Sequence, residues 1–124
     1  MNKVRVIIAG SRDFNDYNLL KENVKNILKD YDNVEIISGT AKGADFLGEK
    51  YAKENNIKLK QFPAQWNLYG KQAGYIRNKQ MAKYSIEDNS IGILIAFWNG
   101  TSKGTRHMIN IAKEMNLQIH IIKF

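Results

Sequence analysis

The sequence predicts an α/β domain: a parallel sheet of five strands with helices on both faces. Three observations point there. Short β-branched runs alternate with stretches of helical periodicity along the whole chain. The first, second and fourth of these runs each pass into a turn rich in glycine, hydroxyl residues and cations just before a helix begins. The pattern GT[A/S]KG occurs twice between a strand and a helix, as Gly39-Thr40-Ala41-Lys42-Gly43 and as Gly100-Thr101-Ser102-Lys103-Gly104.

The elements follow in order. Val4 to Ala9 (VRVIIA) reads as strand one. Asn15 or Asp16 is placed to cap the first helix, whose apolar residues recur at Tyr17, Leu20, Val24, Ile27, Leu28 and Tyr31. Val34 to Ile37 is strand two. Ala44, Leu47, Gly48, Tyr51 and Ala52 make the inner stripe of the second helix. Lys58 to Phe62 is strand three, stopped by Pro63, the one proline in the chain. Ala73 to Tyr84 predicts a helix with weak periodicity. Ile91 to Phe97 is strand four. Met108, Ile109, Ala112 and Met115 share one face of the last helix, and Ile119 to Ile122 is strand five. Such alternation needs right-handed crossovers, which leaves a doubly wound strand order, 3-2-1-4-5. The expectation is therefore a Rossmann-like three-layer sandwich. No linker interrupts residues 1–124, so the chain reads as a single domain.

Composition narrows the function classes. Hydrophobic residues make up 44% and charged residues 25%, which is ordinary globular usage and argues against disorder. No apolar run approaches the roughly 20 residues that cross a bilayer. The N-terminal run Val6–Ala9 is too short for a signal peptide, so the expected location is cytoplasmic. There are no cysteines, which excludes disulfides and thiolate metal sites. A formal charge of +7 invites an anionic partner, although a solvated basic surface accounts for much of it. Arginine is the planar, bidentate reader of phosphate. The chain has Arg5 inside a strand, Arg12 in the first loop, Arg77 after strand three and Arg106 opening the last helix.

In an open parallel sheet, ligands bind beyond the carboxyl ends of the strands, where the strand order reverses. Strand one lies at that reversal, between strands two and four. The loops that should meet there are Gly10-Ser11-Arg12-Asp13-Phe14, Ser38 to Asp45 and Asn99 to Thr105. Each precedes a helix, whose free N–H groups and dipole favour an anion. The expected ligand residues are Gly10, Ser11, Arg12, Ser38, Gly39, Thr40, Lys42, Gly43, Asp45, Arg77, Asn78, Trp98, Gly100, Thr101, Gly104 and Thr105. Glycine after a strand is common in any βα turn, and Ser or Thr there also serves as a helix cap. Two matching loops beside Gly-Ser-Arg weigh toward phosphate. Neither GT[A/S]KG loop ends in the GK[S/T] of a P-loop, and Gly10-Ser11-Arg12 is not a GxGxxG dinucleotide fingerprint.

The combination GSRDF, SGTAKGAD, FPAQW, YGKQAGYIRN and FWNGTSKGT, running from Gly10 to about Ala112, resembles the YspA-like branch of the SLOG superfamily. That superfamily also holds the DprA and LOG proteins and has a Rossmann-like fold. The resemblance implies a nucleotide-derived ligand, with its phosphates on the loops after strands one, two and four, in a protein of bacterial or phage type. The LOG enzymes are phosphoribohydrolases with a PGGxGTxxE motif. Gly104 and Thr105 align with its last glycine and its threonine, and Arg77 resembles the arginine of the LOG site. Met108 stands where that motif has its glutamate, so the phosphate-binding half is retained without the LOG carboxylate.

The leading expectation is a domain that binds a phosphorylated nucleotide or nucleotide-sugar derivative, as a sensor or in its processing. Two alternatives stand beside it. One is a nucleotide hydrolase or N-glycosidase using Asp13 or Asp45 as its carboxylate. The other is DprA-like nucleic-acid binding. Asp13 and Asp45 could also face a ribose, or help hold a Mg²⁺ that bridges ligand phosphates; no metal site of the protein's own is expected. His120 reads as structural, and His107 as a neighbour of the pocket. Trp98 could stack on a purine or cover the core, and Trp66 and Tyr69 lie in an unusually long connection that reads as a flap or an interface. A homodimer or higher homo-oligomer through a sheet edge or an exposed helix is also open.

Overall fold

The computed structural model describes residues 3–124. Its sheet has five strands in the order β3-β2-β1-β4-β5, every neighbouring pair parallel. In chain order the elements are β1 (Val4–Gly10), α1 (Tyr17–Leu28), β2 (Val34–Ser38), α2 (Ala44–Glu54), β3 (Lys58–Gln61), a short α3 (Trp66–Tyr69), α4 (Ala73–Ile86), β4 (Ile91–Trp98), α5 (Lys103–Glu114) and β5 (Gln118–Lys123). Both the predicted strand order and the Rossmann-like class are what the structure shows.

Alternation along β1 builds two cores. Val4, Val6 and Ile8 face one side, with Leu20 and Val24 of α1 and Ala44, Tyr51 and Ala52 of α2. Ile7 and Ala9 face the other, with Met81 and Ala82 of α4 and Met108, Ile109 and Ala112 of α5. The central strands are covered on both faces and so read as continuous apolar runs. Asp16, rather than Asn15, caps α1, its carboxylate accepting the Leu19 amide at 3.0 Å. Several ends extend past their expected positions: β1 to Gly10, β2 to Ser38, α4 to Ile86 and β4 to Trp98, while β3 stops at Gln61. α3 and the turn Gly70–Gln72 give the long connection after Pro63 local structure that the sequence pattern does not announce.

α4 owes its weak periodicity to Asn78 and Ser85, which occupy inward positions beside Ala73, Met81 and Ala82. The inner stripe of α2 likewise carries Asp45 and Glu49, both buried, where only apolar and small residues were expected. His120 lies in β5 opposite Ile95.

At the end of the sheet away from the glycine-rich loops, Arg5 and Glu35 sit side by side on β1 and β2, 3% and 2% exposed. Arg5 Nε lies 3.3 Å from Glu35 Oε1, an ion pair without hydrogen-bond alignment. Tyr84 donates its hydroxyl to Glu35 at 2.9 Å, and Arg5 stacks 4.0 Å over the Tyr84 ring while donating to the Tyr84 carbonyl at 2.7 Å. Removing Glu35 leaves buried Arg5 with only the exposed Asp88, 3.1 Å away, as its ion-pair partner. Glu35→Ala is expected to lower stability by about 3 kcal/mol, measured by urea denaturation, without altering the opposite end of the sheet.

Candidate functional site

The loops after β1, β2 and β4 meet at one rim and enclose an open cleft of about 400 Å³. Ser11 ties the three together. Its amide donates to Phe97 of β4 at 2.9 Å, and its carbonyl accepts the amides of Phe14 at 3.2 Å and, more loosely, Ala44 at 3.5 Å. Its hydroxyl accepts the Asn99 amide at 3.1 Å. Two glycines make this contact. A Cβ at Gly10 would collide with the Phe97 carbonyl. Gly43, at φ +80°, lies so close to the Ser11 carbonyl that no side chain fits there.

Of the expected ligand residues, Gly10, Ser11, Arg12, Asp45, Arg77, Asn78, Gly104 and Thr105 line this cleft, as does Asp13. Gly39, Thr40 and Lys42 line a second recess of about 430 Å³, and the two recesses share Arg12, Ala41 and Arg77. Ser38 is fully buried beneath the loop after β2. Gly43, Gly100, Thr101 and Trp98 line neither recess. Trp98 instead donates its indole N–H to the Ser102 carbonyl at 3.1 Å, with Arg106 and Lys123 near its ring.

The two GT[A/S]KG loops are held by different means. In the first, the Ser38 hydroxyl accepts the Thr40 amide at 3.0 Å and donates to Glu49 at 2.7 Å, and Gln61 donates to Glu49 at 3.0 Å. In the second, the Asn99 carboxamide accepts the amides of Thr101 and Ser102, both at 2.9 Å. This is an Asx turn, for which Asn before Gly-Thr-Ser is a legible signal. Both loops therefore spend amides on internal contacts. What faces the cleft from the second loop is the start of α5, which has no side-chain cap, so its first N–H groups are unpaired within the helix.

A model of the YspA, cpYpsA-related SLOG family matches residues 4–69, just over half of the chain. The chain belongs to this family. It is also 27% identical over 121 residues to the Gene 61 protein of Mycobacterium phage D29, a match covering 93% of each chain. No solved structure matches it. SLOG membership suggests a function related to nucleotides.

In this SLOG protein the charged groups of the cleft are closely interlocked. Asp45, 5% exposed, accepts the Ala41 amide at 3.3 Å. Burial pushes its carboxyl from 3.8 up to about 6, against the opposing pull of Arg77 and of the Ala41 and Gly10 amides. A Cβ at Gly39 would stand 2.7 Å from Arg77 Nη1 and 2.8 Å from Asp45 Oδ2, so glycine there leaves room for both groups. Burial draws the Arg77 guanidinium below its ordinary value, Asp45 pulls it back up, and Arg12 lowers it. Arg77 donates to the Gly39 carbonyl and, through Nε, to Asn78 at 3.1 Å. With its oxygen so engaged, Asn78 presents its NH₂ to the Gly104 carbonyl at 3.3 Å and to His107 Nδ1 at 3.1 Å. His107 therefore accepts on Nδ1 as a neutral imidazole, in keeping with burial and Lys79 lowering its pKa. Among the described residues, Arg12 makes no salt bridge, and no cluster of three or more acidic or histidine side chains could hold a metal.

Sequence reasoning passed over Asn99, Ser102, Ala41 and Met81 in the cleft lining, as well as Glu49 behind it. Glu49 had a signal: it lies one helical turn after Asp45 on the same face.

Two side chains are held at this site at a cost to stability. Thr40 is β-branched yet sits at φ +65°, a backbone region that disfavours such residues. Thr40→Gly is expected to raise stability by about 1 kcal/mol. For Asp45, a folded-state pKa above the ordinary value means that the folded chain holds the proton more tightly than the unfolded one. The stabilisation from the protonated acid is complete below about pH 4 and is lost as pH rises through 6. Asp45→Asn has no proton to lose. It should match the wild type near pH 4 and exceed it by up to about 3 kcal/mol at pH 7. Urea denaturation at the two pH values measures the difference.

Proposed function

We propose that the cleft binds a phosphorylated nucleotide derivative, with a phosphate at the start of α5 and beside Arg12 and the sugar toward Asp45. Gly104 carries this reading. It lies in the first turn of α5 with nothing within 4 Å of its Cβ position, and it lines the cleft. Glycine in a helix is up to about 1 kcal/mol less favourable than alanine. Packing accounts for Gly10, Gly43 and Gly48, each of which has protein atoms crowding its Cβ position. No protein neighbour accounts for Gly104, and close approach of a ligand to the helix N–H groups does. Arg12 supplies the positive charge. A Mg²⁺ in this cleft would draw most of its oxygens from the ligand, with Asp13 or Asp45 adding a carboxylate.

A second reading rests on Asp45. A buried carboxyl pushed up to about 6 in a cleft is suited to general acid–base work. On that reading Asp45 replaces the carboxylate missing at Met108, and the bound nucleotide is hydrolysed.

Calorimetry of the full chain against nucleoside mono- and diphosphates tests the first reading. Arg12→Ala should weaken binding about tenfold or more, as expected for loss of a charged hydrogen bond. Gly104→Val should abolish binding while the thermal midpoint stays within a few degrees. Unchanged affinity in both variants would overturn the reading. Mass spectrometry of the incubated nucleotides separates the two: cleavage that Asp45→Asn abolishes, with binding retained, favours the second.

A further inference from the structure

We propose that the ligand is bipartite: a phosphodiester or pyrophosphate bridge lies over Arg12 and Arg77, and a planar ring on one side of that bridge stacks on Trp66 in the second recess. This deepens the phosphate reading of the cleft and rests on it. The two recesses are of similar size and share Arg12 and Arg77, so two guanidinium groups stand at their junction, with Lys42 adding a cation on the wall of the second. A ligand with one terminal phosphate would fill one recess and leave the other as solvent. A ligand with a central anionic bridge uses both.

The two sides differ in chemistry. The first recess offers Asp45, Asn78, Thr105 and the start of α5, a lining suited to hydroxyls and a phosphate. The second offers Pro63, Ala64 and Trp66, with Thr40 and Lys42 opposite. Trp66 is 51% exposed, and a half-exposed indole in a recess is a platform for a flat ring. The ring edge and Arg77 both neighbour α4 at Gly74: a Cβ there would lie at ordinary van der Waals distance from each, 3.6 Å from the far edge of the Trp66 ring and 3.7 Å from Arg77 Nη2. The indole and the guanidinium thus flank one backbone position, an arrangement that suits a ring beside its phosphate. The strained Thr40 belongs to the same wall. Its left-handed backbone carries no packing advantage on an exposed side chain.

Three probes test this with the full chain: ribose 5-phosphate, adenosine 5′-monophosphate and diadenosine diphosphate. Calorimetry should show diadenosine diphosphate binding at least tenfold tighter than the monophosphate. Trp66→Ala should weaken the dinucleotide roughly five- to hundredfold, the range that aromatic stacking gives, and leave ribose 5-phosphate unchanged. Indole fluorescence gives a second measurement that does not depend on that variant folding: the dinucleotide should quench wild-type emission, and the quench should be lost in Trp66→Phe. Equal affinity for the monophosphate and the dinucleotide, or a Trp66→Ala loss equal for all three probes, overturns the bipartite proposal and leaves the phosphate reading standing. Binding of none of the three overturns both.

Discussion

The cleft depends on Ser11. A parallel sheet can bring three loops to one rim, but it does not fix the distance between them. Ser11 does so with all of its polar groups: amide to β4, carbonyl to the first loop and the start of α2, hydroxyl to the loop after β4. The residue is 1% exposed, so these bonds form in a low-dielectric setting where leaving them unmade would be costly. Gly10 and Gly43 follow from the same contact, since a methyl group at either position would force the loops apart. Two of the glycines expected as phosphate contacts are thus demanded by the protein's own packing.

That distinction changes where positive charge is available. An Asx turn at Asn99 and the Ser38 hydroxyl consume amides of both GT[A/S]KG loops. The cleft is left with the bare first turn of α5, with Arg12 and with Arg77. Arg77 is partly committed, because it holds the Gly39 carbonyl and orients Asn78. Through Asn78 the arrangement extends to the Gly104 carbonyl and to His107, so the first turn of α5 is positioned by a side chain of α4. Arg12, exposed and unpaired among the described residues, is the group free to follow a ligand.

Most of the fold was legible because its signals are local. Period-two and period-3.6 patterns locate the strands and most of the helices, and handedness then restricts the strand order. The helical stripes depart from expectation for one cause, polar residues turned inward. Asp45 and Glu49 on α2, and Asn78 and Ser85 on α4, occupy core-facing positions for reasons that lie in other elements. Glu49 is satisfied by Ser38 and Gln61, and Asn78 by Arg77 and α5, partners that no helical pattern within α2 or α4 could reveal. The site was legible at the level of loops and less so at single residues. Repetition of GT[A/S]KG suggests two equivalent phosphate loops. The structure uses the first to line the second recess and to seat Asp45 and Arg77, and the second to deliver α5.

The position of the buried carboxylate bears on chemistry. Met108, one helical turn into α5, lines the cleft and presents a thioether where the resembling LOG motif has an acid. Asp45 enters the same cleft from the first turn of α2. An acid on α2 would approach the ligand proposed at α5 from across the cleft, beside Arg77 and away from the α5 dipole. Its proton is then held by burial and released by Arg77, so it answers to whatever engages that guanidinium. A phosphate drawn onto Arg77 would offset the cation that favours Asp45 ionisation and raise the carboxyl's pKa further. On the proposed reading, anion binding at Arg77 and proton uptake at Asp45 would be coupled in sign. A sensor built this way binds its anion more tightly as the pH falls toward 6, and a hydrolase built this way has its acid protonated when the phosphate arrives.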